Sequence, residues 1–213
     1  MLSEKEIAKK LLAINAIKLQ PESPFTWASG RKSPIYCDNR MTLSHPAIRN
    51  DIKTTLAESA RTAFGEFDLV AGVATAGIPH GVLVAEALDL PFIYVRSSTK
   101  KHGARNRIEG DPTQGDKCLV VEDLISTGGS CLEAVDVLRE AEYDVAGVIA
   151  IFTYGFEDAK SNFAKNNCEF RTISNYKALL SAALEMDYLT EDQLESLSEW
   201  SQNPIAWSDS FEK

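Results

Sequence analysis

Lys117-Cys-Leu-Val-Val-Glu-Asp-Leu-Ile-Ser-Thr-Gly-Gly-Ser130 reads as strand, loop and helix in succession. Cys118-Leu119-Val120-Val121 is a short apolar run rich in β-branched residues, the pattern of a strand buried on both faces of a parallel sheet. Glu122 and Asp123 follow, where that strand is expected to end. Ser126, Thr127, Gly128, Gly129 and Ser130 then make a turn of hydroxyls and glycines, after which Leu132, Val135 and Leu138 recur at helical spacing. Such a turn suits a phosphate, because glycine lets the backbone come close, successive amides point at the anion, and the new helix N-terminus adds partial positive charge. Carboxylates beside a phosphate repel it unless they address something else, such as sugar hydroxyls or a cation. A ligand carrying a phosphate, a ribose and a divalent metal satisfies both halves of the stretch. Neither Gly-x-Gly-x-x-Gly nor Gly-x-x-x-x-Gly-Lys-Ser/Thr occurs.

Outward from this stretch, Leu69–Val73, Phe92–Val95 and Val145–Phe152 are further apolar strands, and Phe170–Ile173 is a weaker one. Helical spacing is seen at Ile48, Ile52 and Leu56, and again at Leu83, Val84 and Leu88. Strands at 69, 92, 117 and 145 alternating with helices predict an α/β fold with a doubly wound parallel sheet, whose right-handed crossovers bring the loops after 73, 95 and 121 to one edge. The loop Ala74–Gly77 is either a second anion-binding turn or simply a tight strand-to-helix connection. Arg96 to Gly110 has no apolar period and carries Arg96, Lys100, Lys101, His102, Arg105 and Arg107. It is expected to be a long functional loop, with a solvated charged face as the plain alternative.

Ser3 to Glu6 reads as a capping box for a helix through about residue 16, with Ile7, Leu11 and Ile14 inward. Residues 19–39 hold three prolines and a Ser-Gly turn, and Phe25–Trp27 is expected to pair with Ile35–Cys37 as a small hairpin outside the βαβ series. A helix spans Tyr176–Glu185, Thr190 to Gln193 caps a last helix that Pro204 ends, and Ser208–Lys213 is a frayed tail. The expected organisation is a helix and hood over residues 1–40 and an α/β core over 41–213.

Val120-Val121-Glu122-Asp123-Leu124-Ile125-Ser126-Thr127-Gly128-Gly129-Ser130 resembles the phosphoribosyl pyrophosphate (PRPP) motif of type I phosphoribosyltransferases. Phe25-Thr26-Trp27-Ala28-Ser29-Gly30-Arg31-Lys32-Ser33-Pro34 is similar to the hood of the orotate-using branch. The resemblance implies the type I phosphoribosyltransferase fold and Mg²⁺-dependent transfer of a 5-phosphoribosyl group from PRPP to orotate. It also implies PRPP contacts along Glu122–Ser130, with orotate beside Ser126 and Ala74–Gly77 as the pyrophosphate loop. Arg96, Lys100 and His102 match an Arg-x-x-x-Lys-x-His pattern that covers the pyrophosphate and reaches a neighbouring subunit, which implies a homodimer. Lys100, His102 and Asp123 are then the expected catalytic groups, with no dedicated protein ligand for the metal. Some members carry lysine at the positions of Ala28 and Ala76 and arginine near Tyr154, and this chain has none of these charges. His45 and His80 read as structural.

The 213 residues carry a net charge of −9 and a pI near 4.9, which disfavours broad contact with nucleic acid or an anionic membrane. No run approaches the ~18 apolar residues of a membrane span, and Glu4, Lys5, Glu6, Lys9 and Lys10 interrupt any secretory core. Cys37, Cys118, Cys131 and Cys168 form no Cys-x-x-Cys pair, so neither a zinc ribbon nor a disulfide framework is indicated. The expected location is a reducing cytoplasm.

Overall fold

Leu119, Val120 and Val121 are wholly buried, as a strand covered on both faces requires. The computed structural model describes residues 1–27, 29–97, 107–111 and 113–211. In it β5 (Leu69–Val73), β6 (Phe92–Val95), β8 (Lys117–Ile125), β9 (Asp144–Thr153) and β10 (Phe170–Asn175) run parallel. The two-residue β7 (Ile108–Glu109) pairs antiparallel with β6. The six lie in the order β10-β9-β8-β5-β6-β7.

Helices α2 (Pro46–Phe64), α3 (Gly77–Leu88), α4 (Gly129–Glu140), α5 (Glu157–Lys165) and α6 (Tyr176–Glu185) cover this sheet. The chain leaves β5 through α3 toward one edge and leaves β8 through α4 toward the other, so right-handed crossovers place α3 and α4 on opposite faces. Side-chain alternation along β8 agrees. Leu119 and Val121 join a core with Leu56, Val84 and Leu179, whereas Cys118 and Val120 join one with Leu132, Val135 and Phe163. The direction of winding reverses between β5 and β8, and a crevice opens outside their carboxyl ends.

Helix α1 (Glu4–Ala13) has the expected capping box between Ser3 and Glu6, and it packs against α6. The hood strands pair differently from the expected hairpin. β2 (Phe25–Thr26) pairs with β3 (Lys32–Ser33), whereas β4 (Ile35–Cys37) pairs with β1 (Ile17–Leu19). Gly30, at φ +85°, closes a tight turn in which Trp27 N donates to Arg31 O, and this sets Phe25 opposite Ser33. Pro34 has no N–H to continue that ladder, so the chain re-pairs beyond it.

Two further expectations are corrected. β8 does not end before the acidic pair: its ladder with β5 stops at Gly72–Val121, but its ladder with β9 continues to Ile125–Thr153. Pro204 does close off α7 (Glu191–Gln202), but it then opens α8 (Pro204–Asp209), and Ser208 is buried rather than frayed. Asn203 makes this possible, since its side chain accepts the Ala206 N–H and caps the new helix. Among the described residues no helix is long and apolar enough to cross a membrane.

His80, on α3, is buried, but it is not the satisfied structural histidine expected: its Nε2 has no hydrogen-bond partner among the described residues, and burial pushes its pKa down to about 4. The unfolded chain takes up this proton near pH 6.5, so the contribution to stability is complete above that pH and is lost as pH falls toward 4. The loss amounts to roughly 3 kcal/mol. Urea midpoints are expected to fall across this window in the wild type and much less in His80→Leu. Parallel falls in both proteins would show that another group governs the acid transition.

Candidate active site

The open side of β8 is where the site begins. Beyond Val121 the strand has β9 on one side and the crevice on the other, so Glu122 and Asp123 stand at the switch point on a rigid element. Glu122 is 6% exposed and its Oε1 accepts the Asp123 N–H at 3.0 Å. Burial raises the pKa of both carboxyls, and the charge of Asp123 raises Glu122 further. Arg40 works against this at Asp123 and is itself clamped by Asp38, with Nε–Oδ1 at 2.7 Å and Nη2–Oδ2 at 2.9 Å. A buried and a half-buried carboxyl held this close favour hydroxyl donors or a cation, which supply the stabilisation that water no longer gives.

Leu124 and Ile125 finish the strand, and the turn from Ser126 to Gly128 is held from outside. Thr153 Oγ1 donates to Ile125 O at 2.9 Å, and Asn162 Nδ2 donates to Thr127 O at 3.0 Å. Gly128 takes φ +83°, and a Cβ there would lie 2.5 Å from the Phe163 ring. No side chain caps α4, so the amides of Gly129 and Ser130 are free to meet an anion. Asn39, wholly buried at the start of a 3₁₀ turn (Asn39–Ser44), donates from Nδ2 to Asp123 O at 2.7 Å and ties the hood side to the acidic pair.

The second glycine turn meets the first. The Ala74–Thr75 peptide is cis, and α3 begins without a side-chain cap at Ala76. A Cβ on Gly77 would lie 2.5 Å from Val121 O and 3.3 Å from the Glu122 Cα. Only glycine lets the start of α3 press against β8 this closely. Both loops therefore converge at the carboxyl ends of β5 and β8.

Arg96 sits just past β6, its Nη1 3.0 Å from Glu109 Oε1, and its N–H bonds Arg107 O. Arg107 is engaged by Glu133 on α4 at 2.8 Å, a fixed role that the sequence did not separate from the rest of the basic segment. Lys100 and His102, like Ala28, lie outside the described residues. Tyr154 is buried and stacks on Phe156 at 5.4 Å and 30°, so an aromatic surface stands where some members of the resembled family carry arginine.

Beside the Ser126–Gly128 turn is a cavity of about 560 Å³ lined by Trp27, Arg31, Lys32, Ser126, Phe156 and Trp200, among others. Aromatic walls, two cations and a serine suit a flat anionic ring. Nothing in the sequence marks Asn39, Thr153, Asn162 or Trp200 as site residues. Their contacts reach across the fold and leave no local pattern.

The chain is similar to known proteins in sequence and in fold. A family model described as phosphoribosyl transferase domain matches residues 39–183. An orotate phosphoribosyltransferase of Listeria innocua is 52% identical over 207 residues, 97% of this chain and 99% of the relative. One from Cytophaga hutchinsonii is 51% identical over 203 residues, covering 95% and 97%. The crystal structure of orotate phosphoribosyltransferase from Aeropyrum pernix superposes with a TM-score of 0.74 at 28% identity, covering 86% of this chain and 99% of that one.

Proposed function

The chain belongs to the phosphoribosyl transferase family, and from that membership we infer that it transfers the 5-phosphoribosyl group of PRPP to orotate. The products are orotidine 5′-monophosphate and pyrophosphate, in pyrimidine biosynthesis. The observation that carries this reading is the convergence of the end of β8 with its Ser126–Gly128 turn and the Gly77 turn at the switch point, beside an aromatic cavity with cationic residues.

The bond from ribose C1 to pyrophosphate oxygen breaks with its electron pair on the oxygen, and the base nitrogen bonds to C1, losing its proton. Positive charge develops on the ribose, so catalysis lies mainly in positioning and in charge stabilisation. Amides and hydroxyls of Ser126 to Ser130 hold the 5-phosphate, with Leu124 and Ile125 carrying the backbone into the turn. Glu122 and Asp123 accept from the ribose hydroxyls, and Asp123 keeps negative charge near the cationic ring. Arg96, Lys100 and His102 face the pyrophosphate, and His102 donates a proton to it. Orotate lies beside Ser126. What supports these roles is the match to the family motif together with the uncapped α4 and the adjacent carboxyls with raised pKa values.

Mg²⁺ fits this donor set as a metal held chiefly by substrate oxygens and water, with Glu122 and Asp123 nearby, since hard oxygen ligands are what it takes. It supplies neutralisation of pyrophosphate charge. A homodimer, in which the segment from Arg96 reaches the neighbouring site, belongs to the same reading. So does a cytoplasmic location, which the four unpaired cysteines favour.

The test offers purified protein PRPP and Mg²⁺ with orotate, uracil, hypoxanthine or adenine separately, and records pyrophosphate release. Orotate is expected to be the base consumed; turnover of a purine in its place would reject the assignment. Lys100→Ala is expected to lower kcat about tenfold with KM for PRPP changed less than about threefold, because its charge is needed most as the pyrophosphate departs. An unchanged kcat would remove Lys100 from the reaction.

A further inference from the structure

The two ends of the chain lie outside the 39–183 span matched by the family model, yet they meet. Ser208, on α8, is 3% exposed and its Oγ accepts the Lys32 N–H at 2.9 Å. Helix α8 packs on β3, and Trp200 of α7 stands edge-on to Trp27 at 6.0 Å and 90°. The N-terminal strands and the C-terminal helices thus form a single wall, and the cavity lies between that wall and Ser126.

The charges on this wall are informative. Arg31 and Lys32 are the basic side chains lining the cavity. Lys32 Nζ is 2.9 Å from Thr26 Oγ1, whereas Arg31 is exposed and makes no ion pair with a described residue. The carboxylates at the same cavity are Glu157, held by Lys160 at 2.6 Å, and Asp158. A free guanidinium beside aromatic walls suits a planar carboxylate, which it can bind through two parallel hydrogen bonds.

We propose that α7, α8 and the β2–β3 turn form one base-recognition element, in which Ser208 fixes the turn so that Arg31, seconded by Lys32, receives the carboxylate of the base. The proposal rests on the transfer reaction above and identifies the part of the site that selects for it. Orotate carries a carboxylate that uracil lacks, so this element sets the preference between them. Arg31 is the binding residue; Ser208 is a positioning residue, acting through the backbone of Lys32.

The test is steady-state kinetics of the full chain with PRPP and either orotate or uracil, together with orotidine 5′-monophosphate binding read from quenching of tryptophan fluorescence. Arg31→Ala is expected to raise KM for orotate about tenfold or more, the factor for one charge-assisted contact. KM for PRPP should stay within about twofold, and the preference for orotate over uracil should fall by the same factor. Arg31→Lys should recover part of the loss by retaining the charge. Ser208→Ala is expected to raise KM for orotate about threefold to fivefold with the same split, consistent with one lost hydrogen bond. An orotate KM unchanged in Arg31→Ala, or KM values for both substrates rising together in Ser208→Ala, would overturn the proposal while leaving the transfer reaction intact. Absence of both orotate turnover and product binding in the wild type would overturn the reaction, and the proposal with it.

Discussion

Asp123→Asn is expected to lower kcat/KM about a hundredfold while leaving the thermal midpoint unchanged or slightly higher. Asparagine keeps the shape of the side chain but removes the charge and replaces one acceptor oxygen with a donor. Charge matters most when the ribose becomes cationic, so the loss should fall chiefly on kcat, on the scale of ~10²–10³ seen for removal of one preorganised electrostatic contact. Stability should respond in the opposite sense. Burial raises the pKa of both carboxyls and the charge of Asp123 raises Glu122 further, so in the ligand-free protein the ionised pair is a liability that a neutral amide relieves. Because acids with raised pKa values are penalised as pH rises, the midpoint advantage of Asp123→Asn should grow from acid toward neutral pH. Activity at the wild-type level would detach this carboxylate from the ribose. Activity lost together with a fall in midpoint would make Asp123 a structural residue.

What the sequence disclosed follows how local the responsible forces are. β5, β6 and α6 have the bounds their apolar patterns and caps suggest, because burial of the strands and the Asn175 cap act within a few residues. The turn before α4 was legible for the same reason, since the glycines and hydroxyls that form it stand next to one another in the chain. Pairing partners were not. β4 could have met β2 or β1, and only the geometry of the Gly30 turn and the missing N–H of Pro34 decide for β1. β8 runs past Glu122 because β9 is long enough to pair with it to Thr153, a fact held in a distant segment. Asn39 and Ser208 were opaque, since each is an ordinary polar residue whose partner lies 84 or 176 positions away. The family span ends at residue 183, and α8, whose Pro204 and Ile205 line the cavity, lies past it.

The two alanine substitutions on α3, Gly77→Ala and Gly81→Ala, separate the fold's needs from the site's. At Gly77 the added carbon would lie 2.5 Å from Val121 O, a backbone atom of a central strand, and 3.4 Å from Glu122 Oε1. The strand is fixed by ladders on both sides, so the start of α3 must retreat. That retreat pulls the Ala74–Gly77 turn away from the carboxyl pair. A cost of about 1–3 kcal/mol is expected for overpacking, together with a loss of PRPP affinity of roughly thirtyfold, equivalent to about 2 kcal/mol of displaced contacts. At Gly81 the nearest obstacle is the Phe92 ring at 2.6 Å, a side chain that can give way at the half-buried edge of β6. Gly81→Ala is therefore expected to lower stability by a similar or smaller amount and to leave PRPP affinity within about twofold. Urea titration gives the first quantity and PRPP titration the second. Equal losses of PRPP affinity in both variants would mean that α3 matters only as a packed helix, whereas a loss confined to Gly77→Ala ties the close approach at the switch point to the grip on PRPP.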